Sequence, residues 1–137
     1  MQEKVCNLWI EKADFRCIPT TGATNDDGSA VMNGPIAQEA AKKFYNIELD
    51  LGMLLTSRGN HVHLVRPGIV SFPIQQYAWS GPNLQVIERS ARELMQLVKD
   101  AKTLLPRPGC DAGQLKWDDV AKVLAFLPDN IVVIDHR

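Results

Sequence analysis

Strand-like and helix-like stretches alternate along these 137 residues, and the alternation predicts an α/β fold with a sheet between two helix layers. Two observations carry this. Six short runs are rich in β-branched or apolar residues, and three longer stretches repeat apolar residues at helical spacing. The strand runs are mostly continuous rather than alternating, which is the pattern of strands covered on both faces.

Taken in order, strands are expected over 4–10 (KVCNLWI) and 14–19 (DFRCIP). A helix then starts at Pro35, whose fixed φ and missing N–H suit a first helical position. Its apolar stripe is Ile36, Ala37, Ala40, Ala41 and Phe44. Two more strands fall over 61–65 (HVHLV) and 68–73 (GIVSFP). The second helix follows WSGPN: Leu84, Ile87, Ala91, Leu94, Met95 and Val98 share one face, with Glu88, Arg89, Arg92 and Glu93 on the other. After a strand over 102–106 (KTLLP), a third helix carries Asp118 and Asp119 in its first turn, where the helix dipole favours carboxylates. Its stripe is Trp117, Val120, Ala121, Leu124 and Ala125, and a last strand covers 130–135 (NIVVID). With no internal repeat or linker composition, residues 1–137 read as one domain.

Charge is balanced, 15 Lys and Arg against 16 Asp and Glu. No basic excess exists to release counterions, which argues against general nucleic-acid or acidic-membrane binding. Three scattered cysteines (Cys6, Cys17, Cys110) cannot all pair internally and read as reduced thiols. The charged N-terminal stretch does not resemble a signal peptide, and no apolar run approaches the roughly 18–20 residues that cross a bilayer. The expectation is a cytoplasmic protein.

Ligands of α/β sheets sit beyond the carboxyl ends of the strands. Two loops there are rich in small and turn-forming residues, 19–35 (PTTGATNDDGSAVMNGP) and 106–116 (PRPGCDAGQLK). Glycine backbone can cradle a phosphate at a helix N-terminus. Gly109 and Gly113 can instead serve only to turn the chain, and their spacing alone favours that reading, since lone glycine patterns are common in turns. Asp26 and Asp27 are either a base positioning a water or ordinary turn chemistry. His61 and His63, two apart on an expected strand, project to one face, but zinc needs further ligands and none stands nearby, so no metal is expected. Cys110 would be a reactive thiol if a helix N-terminus activated it. Trp9, Trp79 and Trp117 are read as core residues, although Tyr77 and Trp79 also suit a pocket wall.

The whole run Arg107–Trp117, RPGC-x-x-G-x-L-x-W, resembles the second ligand loop of macro domains, in particular of small bacterial and phage macro-domain-like proteins. Further segments follow that family's order: NLW (7–9), CIPTTG (17–22), GSAVM (28–32) with IAQEAAKKF (36–44), LGMLLTSRGNHV (51–62), VSFPIQQYAW (70–79) and NLQVIERSARELMQL (83–97). The resemblance implies a three-layer α/β/α fold with a mixed sheet of about six strands. It implies ADP-ribose, or a related nucleotide, as ligand, with no separate cofactor, and an ADP-ribosylated macromolecule as a further partner. Carried over residue by residue, the ligand contacts are Asn7 and Leu8 for adenine, and Thr20, Thr21 and Gly22 near the distal ribose. Ala30, Val31, Met32, Asn33 and Gly34 then form the diphosphate loop. Pro73 ends the fourth strand, and Pro108, Gly109, Cys110, Asp111, Ala112 and Gly113 form the second loop.

Several positions depart from the family pattern. Asn7 stands where an aspartate commonly accepts from the adenine amino group, so charge assistance is lost. Thr21 stands in place of an asparagine, and Pro35 removes one N–H at the diphosphate loop. Asp111 replaces a glycine and brings a carboxylate toward a diphosphate. Gln75 occupies the place of a lysine implicated in catalysis in some ADP-ribosyl hydrolases of this fold, and glutamine is neither nucleophile nor base near neutral pH. The reading is therefore a module that binds ADP-ribose between the two loops. The alternatives are an ADP-ribosyl hydrolase or ADP-ribose-phosphate phosphatase, with Thr21, Asp27 and Gln75 as candidate catalytic residues, or a pocket diverged toward another small ligand or a protein partner. A cradle at Gly109 or Gly113 further implies that Gly109→Glu or Gly113→Glu abolishes binding in a folded protein.

Overall fold

Six strands form one sheet in the order β1-β6-β5-β2-β4-β3. They are β1 (Gln2–Cys6), β2 (Phe15–Thr20), β3 (His63–Arg66), β4 (Ile69–Pro73), β5 (Thr103–Pro106) and β6 (Ile131–His136). β1, β6, β5, β2 and β4 run parallel, and β3 closes the edge antiparallel to β4. The sheet is mixed, as the resemblance implied. The computed structural model describes residues 1–137, with the surroundings of Gly113 outside the described residues.

Helices α1 (Pro35–Lys43) and α2 (Ile47–Arg58) precede β3; α3 (Leu84–Val98) and α4 (Trp117–Leu124) flank β5. The pleat sends successive strand residues to opposite faces, and both faces are covered. Cys17, Leu105, Ile131 and Val133 meet Ile87, Ala91 and Leu94 of α3 and Val120 and Leu124 of α4. Their neighbours Ile18, Leu104, Val132 and Ile134 meet Ile36, Ala37 and Ala40 of α1 on the other side. Burial of both faces explains why the central strands read as unbroken apolar runs.

α3 begins as its sequence indicates, because the Asn83 side chain accepts hydrogen bonds from the N–H groups of Gln85 and Val86. Its Ser90, fully buried, donates to the Pro73 carbonyl at 2.6 Å and ties the helix to the carboxyl end of β4.

Three expectations need correction. The sequence shows three helices and the structure has a fourth, α2, whose apolar residues fall on two opposite faces, Ile47, Leu51, Leu54 and Leu55 on one and Leu49 and Met53 on the other, which hides its stripe. Packing selects Ile47, Leu51, Gly52 and Leu55 for burial, and Leu49 and Met53 stay exposed. β1 ends at Cys6 rather than 10, since the Asn7 carbonyl accepts from Ile10 and Glu11 and turns the chain. As an edge strand, β1 is also mostly exposed. β3 starts only at His63, so His61 lies outside the strand and the two histidines do not share a face.

Candidate functional site

The carboxyl ends of β2, β4, β5 and β6 lie side by side, and each feeds a loop or chain end into one region. Two cavities open there. The smaller, about 290 Å³, is walled by Ile36 of α1, by Arg107, Cys110 and Asp111 after β5, and by Asp135 and His136 of β6. The larger, about 500 Å³, is walled by Thr21, Asn33, Gln75, Trp79, Ala112 and Gln114, among others. Pro35 and Asp111 belong to both walls, so the cavities adjoin across the gap between the two loops. α1 points its N-terminus into this gap, and because Pro35 has no N–H, its first-turn donors begin at Ile36.

At the smaller cavity, Leu8 is fully buried and its N–H donates to His136 Nδ1 at 3.0 Å. An Nδ1 that accepts leaves the ring's proton on Nε2, which faces Glu39 Oε1 at 3.2 Å. Asn7 spends its side-chain oxygen on the N–H of Trp9, 2.9 Å away. The Leu8 N–H and the Asn7 side-chain oxygen of the expected adenine segment are thus engaged inside the protein, and His136 stands at the cavity wall. Neither His136 nor Glu39 was singled out by sequence. The available signal was position, since His136 ends a buried strand on the ligand side of the sheet.

Asp111 is solvent-exposed at the mouth, yet partial burial raises its carboxyl above the usual aspartate range, with His136 pulling the other way. Asp135 is held below that range by its hydrogen bond from Arg137 at 2.9 Å. Arg107 brings positive charge to the same wall while its guanidinium lies over the Trp117 ring, 4.7 Å from the centroid.

Gly109 does not face the cleft. It adopts φ +76°, and a Cβ there would meet Leu115 Cδ1 at 2.9 Å, Pro82 Cβ at 3.0 Å and Ile87 Cδ1 at 3.1 Å. Its glycine is required by a left-handed backbone and by packing against the core side of the loop. The expectation that Gly109→Glu would leave the fold intact is therefore overturned. Gly113 lies outside the described residues. Ala112 also has positive φ, 54°, and Cys110, two residues before it, is followed by a three-residue 3₁₀ turn rather than by an α-helix N-terminus. Burial pushes the Cys110 thiol up, with Arg107 opposing, the reverse of the shift that activates a thiolate.

In the first loop, Thr20 is buried and Thr21 lines the larger cavity, its Oγ1 accepting from the Ala23 N–H at 3.2 Å. Gly22, at φ +78°, lets the Asn60 side chain pack where its own Cβ would be, 2.3 Å from Asn60 Cγ. Asn60 Nδ2 in turn donates to the Gln75 carbonyl at 2.9 Å, joining this loop to the end of β4. Ala30 is buried with its N–H on the Glu48 carbonyl of α2, and Val31 N–H bonds the Ala23 carbonyl. Met32 packs between the α1 and α2 sides of the core. Asn33 and Gly34 use their carbonyls to accept from the Gln38 side chain and the Gln38 N–H. Pro73 and Pro108 are buried and do not line either cavity.

Of the three candidate catalytic residues, the fold gathers two. Thr21 and Gln75 share the larger cavity. Gln75 is buried and its Nε2 donates to the carbonyls of Tyr77 (2.8 Å) and Ala78 (3.1 Å), so the amide shapes a loop. Asp27 instead borders a groove beside α2, and its Oδ1 accepts from the N–H and hydroxyl of Ser29 at 3.0 and 2.6 Å. That turn holds its carboxyl below the ordinary range. His61 bonds Glu93 at 2.9 Å, whereas His63 is buried with Nε2 on the Gly59 carbonyl at 2.8 Å. Among the described residues no group of three or more His, Cys, Asp or Glu is placed to hold a metal ion. No helix among them is long and apolar enough to cross a membrane.

Trp9 and Trp117 do pack against the protein, Trp9 on Phe44 and Trp117 beneath Arg107. Trp79 does not: it is 82% exposed and stacked on Tyr77 at the rim of the larger cavity.

No protein-family model and no curated relative matches the chain. Solved structures do match. The macrodomain of Thermus aquaticus DarG shares 17% identity at a TM-score of 0.73, over 100% of this chain and 98% of that one. The macrodomain of Mycobacterium tuberculosis DarG shares 17% at 0.76, over 98% and 97%. Thermosipho africanus DarTG, solved in complex with ADP-ribose, shares 13% at 0.73, over 98% of this chain and 42% of that one.

Proposed function

We propose that this chain, which has the macrodomain fold, binds ADP-ribose across the two adjoining cavities. One observation carries the reading. Loops 19–35 and 106–116 meet at Pro35 and Asp111, so a smaller and a larger chamber are joined at the carboxyl ends of the strands. A ligand with two sugar-bearing ends linked by a diphosphate suits that shape, and each chamber is on the scale of a small-molecule site. The ADP-ribose complex of the Thermosipho protein supports the ligand class.

In this reading the adenosine end takes the smaller chamber beside Leu8 and His136. The diphosphate crosses the α1 N-terminus at Ile36, with the helix dipole and Arg107 attracting it and Asp111 opposing it. The distal ribose lies in the larger chamber beside Thr21, Asn33 and Gln75.

Binding without turnover is favoured by what the candidate groups already do. The Thr21 hydroxyl serves Ala23, the Gln75 amide serves its own loop, and Asp27 borders a separate groove. Hydrolysis of an ADP-ribosylated macromolecule, or of an ADP-ribose phosphate, would need a ligand phosphate as its base. The test is calorimetric titration with ADP-ribose, ADP and AMP. A micromolar dissociation constant, about -8 kcal/mol, with ADP-ribose tighter than ADP, supports the reading. No heat with any of the three would refute it and direct the search to another ligand.

A further inference from the structure

Resting on the ADP-ribose reading above, we infer that the Tyr77–Trp79 pair is a stacking subsite for a cationic aromatic ring carried on the distal ribose. Its ligand would be an intact oxidised nicotinamide dinucleotide. The two rings lie 5.0 Å apart and 5° from parallel. Tyr77 is 50% and Trp79 82% exposed, a large apolar surface left in water by a loop that is otherwise well tied.

Gln75 Nε2 holds the Tyr77 and Ala78 carbonyls, Ser80 Oγ accepts from the Tyr77 N–H at 3.2 Å, and Asn83 N–H closes the loop on the Ile74 carbonyl at 2.9 Å. The indole is therefore presented by a built turn. Tyr77 takes one of its faces and the other is free. Ala78 and Trp79 wall the same cavity as Thr21 and Gln75, so the indole stands beside the chamber assigned to the distal ribose.

Charge selects the kind of ring. Asp111 is the charged residue in the described lining of that chamber, and neither Lys nor Arg contributes to it. A pyridinium gains from the indole face by cation–π attraction and from the carboxylate by Coulomb attraction. A nucleic-acid strand, whose affinity rests on Lys and Arg contacts to phosphates, finds none in this lining. Planarity and positive charge together point to the oxidised nicotinamide ring, because the reduced ring is uncharged.

The experiment is calorimetric titration of the native protein and of Trp79→Ala and Trp79→Phe with ADP-ribose and with the oxidised and reduced dinucleotides. Circular dichroism would check that the variants are folded. The oxidised form is expected to bind about two- to fivefold tighter than the reduced form, the scale of one exposed cation–π contact. Trp79→Ala should bring that ratio near one, and Trp79→Phe should keep part of it. ADP-ribose binding with no preference for the oxidised ring, or a preference that survives Trp79→Ala, overturns the subsite and leaves the ADP-ribose reading standing. Failure of all three ligands on the native protein overturns both.

Discussion

Gly52→Ala sets two physical effects of opposite sign against each other. Gly52 lies inside α2, where alanine is favoured over glycine by about 1 kcal/mol from helix propensity alone. Its Cα, however, abuts the first ligand loop. A Cβ at 52 would stand 2.0 Å from the Gly28 carbonyl oxygen and 3.0 Å from the Ala30 nitrogen, both backbone atoms that no rotamer change can move. The loop must retreat by more than an ångström. That strains the 2.7 Å bond from Ala30 N–H to the Glu48 carbonyl and opens the small cluster of Ala30, Leu51 and Leu55. Overpacking of this kind costs about 1–3 kcal/mol, and a weakened buried hydrogen bond about 1 kcal/mol more. The net is a destabilisation of about 2 kcal/mol, or a fall in Tm of roughly 5–10 °C for a domain of this size. Urea unfolding with an unchanged m-value would measure it. ADP-ribose affinity should fall as well, because the displaced segment leads directly to Met32–Gly34. A variant as stable as the native protein, or more so, would refute the reasoning, since propensity would then outweigh the contact.

Gly109→Ala should lose about 2 kcal/mol, from its positive φ and its three close apolar neighbours, and Gly109→Glu should unfold rather than merely stop binding; a folded Gly109→Glu with intact thermal stability would contradict this. Asp111→Gly should tighten ADP-ribose binding about fivefold by removing a charge worth about 1 kcal/mol against the diphosphate. The same carboxyl sets a pH dependence: its pKa is raised and the diphosphate prefers its neutral form, so affinity should rise as pH falls through the range just above ordinary aspartate and level off below it. That slope should vanish in Asp111→Gly, and its persistence would assign the titration elsewhere. His136→Leu strands the buried Leu8 N–H and should cost about 1–3 kcal/mol in chemical denaturation, whereas His136→Asn, which keeps an acceptor near Nδ1, should cost clearly less. Equal losses would show that the bond does not stabilise the fold.

Much of the chain is determined locally. α1, α3 and α4 carry their own start signals and apolar stripes, at Pro35, at Asn83 and at Trp117 with Asp118 and Asp119, so their sequence alone predicts them. The four inner strands β2, β4, β5 and β6 are equally legible, because burial on both faces demands unbroken apolar runs, whereas the bounds of the edge strands β1 and β3 are not. The two loops of small residues that follow the inner strands β2 and β5 are also visible in the sequence, and both contribute to the walls of the adjoining cavities. Other features depend on partners distant in sequence. α2 carries apolar residues on two opposite faces, between which only its packing decides, with Gly52 against Gly28 and Ala30. Gly109 could face a phosphate or the core on sequence grounds, and Ile87, Pro82 and Leu115 decide for the core. His136 becomes part of the cleft through Leu8, 128 residues away. Trp79, which composition assigns to the interior, is held in water by the loop that Gln75 ties. Periodicity records which face of an element is buried; it does not record what arrives on that face from elsewhere in the chain, and that arrival is what shapes the site.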